Sequence, residues 1–171
     1  MITPDYCRMM ARYNAWQNQS IFQAAASLTE AEREEDRGAF FGSIRATLSH
    51  LMWGDLMWMA RFDGGAGPGG SIAASPGMYD WATLWSERPK LDARIAGWAW
   101  MVTGEDLAGD IRWHSFAMGR EIGKPASVCV MHLFNHQTHH RGQVHAMLTA
   151  AGARPDDTDL PFMPEDIPEW R

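Results

Sequence analysis

The sequence is poor in cysteine and has no excess of basic residues. Cys7 and Cys129 are too few for a disulfide framework and are typical of a protein that stays reduced. The 15 lysines and arginines are outnumbered by 21 aspartates and glutamates, which gives a net charge of −6. We therefore expect neither a nucleic-acid-binding protein that neutralises phosphates nor a polybasic membrane-surface protein.

Long apolar runs are also missing. The longest, at residues 51–59, is interrupted by Gly54 and Asp55 and is well short of the roughly 20 residues that span a membrane. Residues 1–5 have neither the basic nor the apolar segment that is typical of a signal peptide. We expect a cytoplasmic protein without a membrane span, and its length of 171 residues predicts one domain, residues 1–171.

Large apolar side chains are abundant, and their spacing predicts helices. Nine tryptophans, seven phenylalanines and twelve methionines supply enough apolar surface for one hydrophobic core. Apolar residues recur at steps of three and four, which is typical of helix faces. This pattern and its capping residues predict four long helices, at residues 4–28, 43–62, 79 or 80–102, and 126–151.

The segments between these helices differ in character. Residues 63–76 are rich in glycine, proline, serine and alanine, which predicts a loop. Residues 104–125 contain a partly alternating run at 111–116, which predicts a long crossover that can include a short β-hairpin. The expected fold is therefore all-α, a four-helix bundle with this crossover before the last helix.

Histidines are concentrated in the last predicted helix. His132, His136 and His140 follow one another at four-residue steps, so neighbouring pairs share a helix face and could share a metal ion. On a helical wheel, His136 and His140 fall on the apolar side. His132 lies on the flank of that side, where it could contact one of the metal-binding histidines. His139 and His145 point toward solvent or an interface.

A third metal ligand is expected outside this helix. His50 lies among tryptophan, methionine and leucine residues in the second helix and is the stronger candidate, with His114 as its rival. Three neutral imidazoles would leave the ion a strong Lewis acid. Imidazole suits zinc, nickel, iron and copper alike, and we expect zinc or nickel first, with iron as a further candidate. The His-Glu-x-x-His motif of metalloproteases is missing. Asp55 could act as a base or support a ligand, or it could be a solvated side chain.

Three motifs resemble the DinB (damage-inducible) superfamily. Residues 135–143, Asn-His-Gln-Thr-His-His-Arg-Gly-Gln, resemble its Asn-His-x-x-x-His-Arg-Gly-Gln signature. Residues 13–18 resemble its first-helix motif, and residues 48–62 resemble its second helix. The resemblance implies a DinB-like up-up-down-down bundle, often dimeric, with a divalent metal ion on three histidines. Carried over by position, these are His50, His136 and His140; His139 stands where members often have tyrosine.

The resemblance also implies a chemistry. Members with known activity, such as bacillithiol or mycothiol transferases and a maleylpyruvate isomerase, use the metal to activate a low-molecular-weight thiol. We expect a metal-dependent transferase or hydrolase that activates a thiol or water for attack on a small electrophile, and a homodimer that binds small molecules. The alternative is a non-catalytic stress-response or binding protein stabilised by its metal. A third reading is a bundle whose inward histidines are core polar groups without metal.

Residues beside the motif histidines have structural interpretations as well. Arg141 could be solvated, paired with a carboxylate or anion-binding; Gly142 could permit close helix packing; and Gln143 could bond to a neighbouring helix. Trp53 or Trp58 could pack in the core or line a pocket over the metal.

Overall fold

The fold is a helical bundle with one small hairpin. The computed structural model describes residues 2–115 and 118–166, and within them four long helices pack together, which confirms the expected all-α bundle. None of the helices in these ranges is long and apolar enough to span a membrane. The elements are α1 (Pro4–Ala26), α2 (Glu30–Glu34), α3 (Ile44–Asp63), α4 (Trp81–Met101), α5 (Gly104–Ala108), β1 (Asp110–Ser115), β2 (Arg120–Pro125) and α6 (Ala126–Ala150), with single 3-10 turns at Ser75–Gly77 and Leu160–Phe162.

Local capping signals set the helix bounds. The side chains of Thr3, Ser43 and Asp80 each accept a hydrogen bond from the backbone N–H three residues later, and so satisfy one of the free donors of the first turn. Helix α3 ends at Gly64, whose φ of 72° is in the left-handed region that favours glycine. The four long helices lie within two residues of their predicted bounds.

Side-chain contacts give the direction of α3 relative to its neighbours. Along α3, His50 meets His140 whereas the later Trp58 meets the earlier His132, so α3 and α6 are antiparallel. The Asp63 carboxylate near the end of α3 binds Arg94, and Tyr79 just before α4 binds Arg45 near the start of α3, so α3 and α4 run in the same direction.

The first and last long helices run parallel. Tyr6 packs on Phe134, and Asn14, two turns further along α1, accepts a hydrogen bond from Arg141, two turns further along α6. The order of directions along the chain is therefore up-down-down-up, which corrects the expected up-up-down-down order. Two helices that follow one another in the same direction need a connection that returns along the full bundle.

That returning connection is the segment between α3 and α4, residues 64–80. It passes Trp53, whose indole N–H donates to the Gly69 carbonyl at 2.8 Å, and reaches Arg45, which donates to the Pro76 carbonyl at 2.6 Å. The crossover was expected at residues 104–125 instead. That segment forms α5 and the hairpin, at the end of the bundle where α4 finishes and α6 begins.

The hairpin before the last helix is confirmed. Strands β1 and β2 are antiparallel, and their register pairs Asp110 with Pro125 and Ser115 with Arg120. Along β1, Trp113 packs against the hydrophobic core. Phe116, the last residue of the predicted alternating run, lies outside the described residues.

The core also contains a buried ionic layer that the sequence did not predict. Arg88 of α4 lies 2.7 Å from the Asp55 carboxylate of α3 and 2.8 Å from that of Asp92, and Asn18 of α1 donates to Asp92 at 2.8 Å. All four residues are buried. Burial raises the pKa of Asp92 to about 6, although the Arg88 guanidinium opposes this rise. Asp55 is therefore a core ion-pair partner and not a solvated side chain.

The two cysteines take no part in a disulfide. Cys7 and Cys129 are both buried and unpaired, as expected for thiols that stay reduced. Burial raises the pKa of the Cys7 thiol to about 11, so this side chain stays protonated at neutral pH.

Replacing Arg88 with Met should destabilise the fold strongly, because two buried carboxylates lose their cation. We expect a loss of about 3–5 kcal/mol, or a fall in Tm on the order of 10 °C, by thermal unfolding at pH 7.5. Lowering the pH through 6 should return part of the loss, since the folded variant takes up protons on Asp55 or Asp92 before the unfolded chain does. Arg94→Met, which removes a partly exposed ion pair with Asp63, is the control and should cost about 1 kcal/mol or less. Equal losses in both variants would contradict the role of the layer.

Candidate metal centre

Three histidines from two helices meet on one side of the bundle. Because α3 and α6 are antiparallel, His50 faces the turn of α6 that lies between His136 and His140, with ring centroids 5.0 and 4.9 Å away. One ring nitrogen from each histidine lies within 4.8 Å of the other two, and the Nε2 atoms of His50 and His136 are 3.0 Å apart. These are the three residues that sequence analysis singled out.

A serine in the returning segment determines which nitrogen of His50 faces the cluster. The hydroxyl of Ser75 donates to the Ile72 carbonyl at 2.7 Å, so its oxygen accepts a hydrogen bond from His50 Nδ1 at 2.8 Å. Nδ1 therefore carries the proton, and Nε2 presents its lone pair to the cluster. Ser49 strengthens this arrangement by donating to the Ser75 carbonyl at 2.5 Å.

Gln143 performs the same task for His140. Its side-chain carbonyl oxygen lies 2.7 Å from Nδ1 of His140, one turn earlier on α6, and accepts a hydrogen bond from it. The Nε2 atom of His140 is then left unprotonated. Two of the three imidazoles are thus held in the tautomer that a metal ligand needs, by partners behind the ring.

The third imidazole, His136, is positioned by packing and, in the part of the chain that the structure describes, has no hydrogen-bond partner on its Nδ1 side. A side-chain β-carbon placed on Gly54 would lie 3.0 Å from Cε1 of His136, so the ring takes the space that a larger residue would fill. Its Nδ1 atom is buried and has no hydrogen-bond partner among the described residues. A polar atom left in this state is costly, and its retention points to a function of the ring.

The surroundings keep all three imidazoles neutral. Burial lowers the pKa of His50 to about 4 and that of His136 to about 3, and it also lowers the pKa of His140. Repulsion between the clustered rings acts in the same direction. At neutral pH each imidazole therefore keeps one nitrogen without a proton.

These features fit a divalent metal ion. Two imidazole nitrogens that each lie about 2.0–2.1 Å from one zinc ion come close to each other, as Nε2 of His50 and His136 do at 3.0 Å. Neutral nitrogen donors suit zinc, nickel, copper and iron, so the donor set does not select one of them. The cluster could hold a metal ion, and with three protein ligands it would leave a position for another molecule.

Aromatic side chains form walls around the cluster. The Phe41 ring, from the connection between α2 and α3, lies 4.0 Å from the His50 ring centroid and 5.3 Å from that of His140. Trp53 stacks beside His50 at 6.4 Å and is fixed by its hydrogen bond to Gly69 in the returning segment. These apolar surfaces reduce access of water to the imidazoles.

The other histidines are not part of the cluster. His114, the rival third ligand, is exposed on the hairpin and lies 3.1 Å from Glu121. His132 is exposed, and its ring centroid lies 5.5 Å from that of His136, so it is a neighbour of the cluster. His139 is exposed, as the helical wheel predicted.

Three interpretations of the motif residues need correction. Arg141 is buried rather than solvated, and it donates hydrogen bonds to Asn14 and to Gln137. Gly142 is exposed, and nothing lies within 4 Å of an added β-carbon, so helix packing does not require glycine there. Gln143 bonds to His140 of its own helix rather than to a neighbouring helix.

Comparison with known proteins identifies the family. The model of the DinB family matches residues 1–170, so the chain belongs to this family. The chain is similar to Protein DinB of Bacillus subtilis (strain 168), with 27% identity over 172 residues that cover 91% of each protein. No solved structure shows a significant match to the chain.

No pattern in the sequence pointed to Ser75 as a residue that supports the site. Its hydrogen bond to His50 can be tested directly by substitution. Ser75→Ala removes the acceptor for His50 Nδ1, so the imidazole can rotate and change tautomer. We expect zinc affinity to fall by roughly 10- to 100-fold, measured by competition with a chromophoric chelator. Ser71→Ala, which changes an exposed serine of the same segment, should leave the affinity unchanged. Equal affinity in the two variants would show that Ser75 does not support the site.

Proposed function

We propose that this member of the DinB family is a metal-dependent enzyme that activates a low-molecular-weight thiol for attack on a small electrophile. His50, His136 and His140 would hold one divalent ion, zinc or nickel in first place and iron as a further candidate. The observation that carries the proposal is the convergence of three neutral imidazoles, two of which are held with Nε2 unprotonated and directed at the same point.

The protein and the ion have separate tasks in this proposal. A divalent ion with three neutral ligands keeps its full charge and lowers the pKa of a thiol or water bound to it. Ser75 and Gln143 hold the imidazoles of His50 and His140 in place. Phe41 and Trp53 exclude water, which strengthens the electrostatic effect of the site.

The lack of a nearby base favours a thiol over water. The cluster contains no carboxylate among the described residues, and the nearest candidate from the sequence, Asp55, is bound to Arg88 in the core. Many enzymes that use metal-bound water place a carboxylate base beside it, whereas a thiol of pKa about 8.5 becomes a strong nucleophile once it is ionised. Both cysteines of the chain are buried, which supports a thiol from a separate small molecule.

The setting of the reaction is also proposed. We infer a cytoplasmic homodimer, with residues 1–171 as one domain and small molecules rather than nucleic acid as its binding partners. The net charge of −6 supports partners other than nucleic acid, and the two unpaired cysteines support a cytoplasmic location. The homodimer rests on the resemblance to the family.

A non-catalytic role remains the second candidate, because the cluster joins two helices. A metal ion shared by α3 and α6 would link them and stabilise the bundle even without turnover. In that case a chelator would lower Tm, but an added thiol would not change the coordination of the metal.

Cobalt substitution distinguishes the two candidates. The chelator-treated protein is loaded with one equivalent of Co²⁺ and titrated with N-acetylcysteine at pH 6.5. We expect a sulfur-to-cobalt charge-transfer absorption, and conjugation of the thiol to 1-chloro-2,4-dinitrobenzene that is up to about 100-fold faster than with chelated protein, since a free thiol is only about 1% ionised at this pH.

The variants for this experiment separate the cluster from its rival. His140→Ala should lose both the absorption and the conjugation, whereas His114→Ala should keep them, because His114 lies on the hairpin outside the cluster. Cobalt that binds without a charge-transfer band and without conjugation would contradict the enzyme and favour the stabilising role.

A further inference from the structure

An arginine near the three-histidine cluster packs in the angle formed by two tryptophan rings. The guanidinium carbon of Arg61, near the end of α3, lies 4.6 Å from the ring centroid of Trp58 and 4.5 Å from that of Trp113 on the hairpin. The two indole rings are 5.8 Å apart and inclined at 75°. Arg61 is partly buried by these contacts.

The positive charge of Arg61 has no carboxylate partner in the part of the chain that the structure describes. In residues 2–115 and 118–166, no carboxylate lies within 4.0 Å of its guanidinium, and no hydrogen bond from it is found. By contrast, Arg45 of the same helix and Arg94 of α4 each bind a carboxylate. Burial lowers the pKa of Arg61, which reflects the cost of partial desolvation. A guanidinium has five N–H donors, so an unpaired one that is held rigidly is ready for an anion.

A row of side chains connects this arginine to the cluster. The Trp58 ring lies 5.1 Å from the ring of His132, which in turn lies 5.5 Å from the ring of His136. His132 is exposed, so part of this row borders solvent.

The distance along α3 fits a small molecule. His136 packs against Gly54, and Arg61 is seven residues further along the helix, which corresponds to about 10 Å along the axis. Side chains of a helix lean toward its N-terminus, so the Arg61 side chain leans toward the cluster. A molecule with its reacting atom near His136 could place a second group at the guanidinium.

We propose that Arg61, between Trp58 and Trp113, binds a carboxylate of the small molecule that reacts at the cluster, so that the substrate class is anionic. The inference rests on the proposed function for the reaction, but the anion site itself does not require metal. Guanidinium binds carboxylate through two parallel hydrogen bonds, and the two adjoining indole surfaces shield part of the guanidinium from water that would weaken them. The net charge of −6 gives no general attraction for anions, so binding should depend on this one cation.

The site is tested first in the chelator-treated full chain. Acetate, succinate and inorganic phosphate are titrated into the protein by isothermal titration calorimetry at constant ionic strength. We expect saturable binding of a carboxylate, strongest for succinate, and at least tenfold weaker binding in Arg61→Gln. Arg61→Lys should fall between the two, because a lysine keeps the charge but loses the planar donor pair. The control is Arg112→Gln on the exposed hairpin, which should bind as the wild type does.

Four outcomes would overturn the inference. Succinate binding of equal strength in Arg61→Gln, or no saturable binding of any of the three anions, would exclude a carboxylate site at Arg61. Saturable binding of phosphate alone would assign the site to a different ligand. A lower Tm of Arg61→Gln and Arg61→Lys with unchanged succinate affinity would identify Arg61 as a residue that only fixes the hairpin to α3.

A second step links the site to the reaction. In the metal-loaded protein, Arg61→Gln should raise KM for a carboxylate-bearing electrophile at least tenfold and leave KM for its uncharged methyl ester unchanged. Equal effects on the acid and the ester would overturn the link. If the metal-loaded wild type binds succinate but shows no turnover of either electrophile, the proposed function is contradicted and the anion site at Arg61 is retained.

Discussion

The antiparallel packing of α3 against α6 is the constraint on which the rest of the structure depends. It brings His50 opposite the turn between His136 and His140, and so turns a histidine spacing along one helix into a cluster between two. The register of α3 against α6 must be correct to within one residue. Moving the histidine by one position along α3 would rotate its side chain by about 100° around the helix axis, away from α6. Gly54 sets this register closely, since its missing side chain makes room for His136.

Two adjacent residues of α3 serve two different neighbours. Gly54 faces His136 of α6, whereas Asp55 faces Arg88 of α4, as expected for positions about 100° apart on a helix. The buried ionic layer therefore lies directly beside the histidine cluster. Replacing such a layer with apolar residues often stabilises a protein. We therefore interpret the layer as a device that orients the helices rather than one that maximises the stability of the fold. The returning segment, residues 64–80, adds Ser75 from a third direction.

The helix bounds and the clustered histidines could be predicted from the sequence. The helix directions, the role of Ser75 and the buried ion pair could not, and the reasons are physical. Apolar periodicity and capping residues gave helix bounds within two residues, and the four-residue spacing with the wheel selected His136 and His140. His50 was selected by its apolar surroundings and by the resemblance to the family. Helix direction depends on which connection returns along the bundle, and periodicity carries no information on this. Ser75 and the pairing of Asp55 with Arg88 arise from contacts between residues distant in the chain, which local pattern cannot reveal.

The central claim is that the histidine cluster holds one divalent ion. The most direct test is elemental analysis of protein purified without a metal-affinity tag, for the wild type and for His50→Ala. The account predicts close to one zinc, nickel or iron ion per wild-type chain and a loss of that ion in the variant. A wild-type protein without stoichiometric metal, even after incubation with zinc and nickel, would contradict it and leave a helical bundle with histidines in its core.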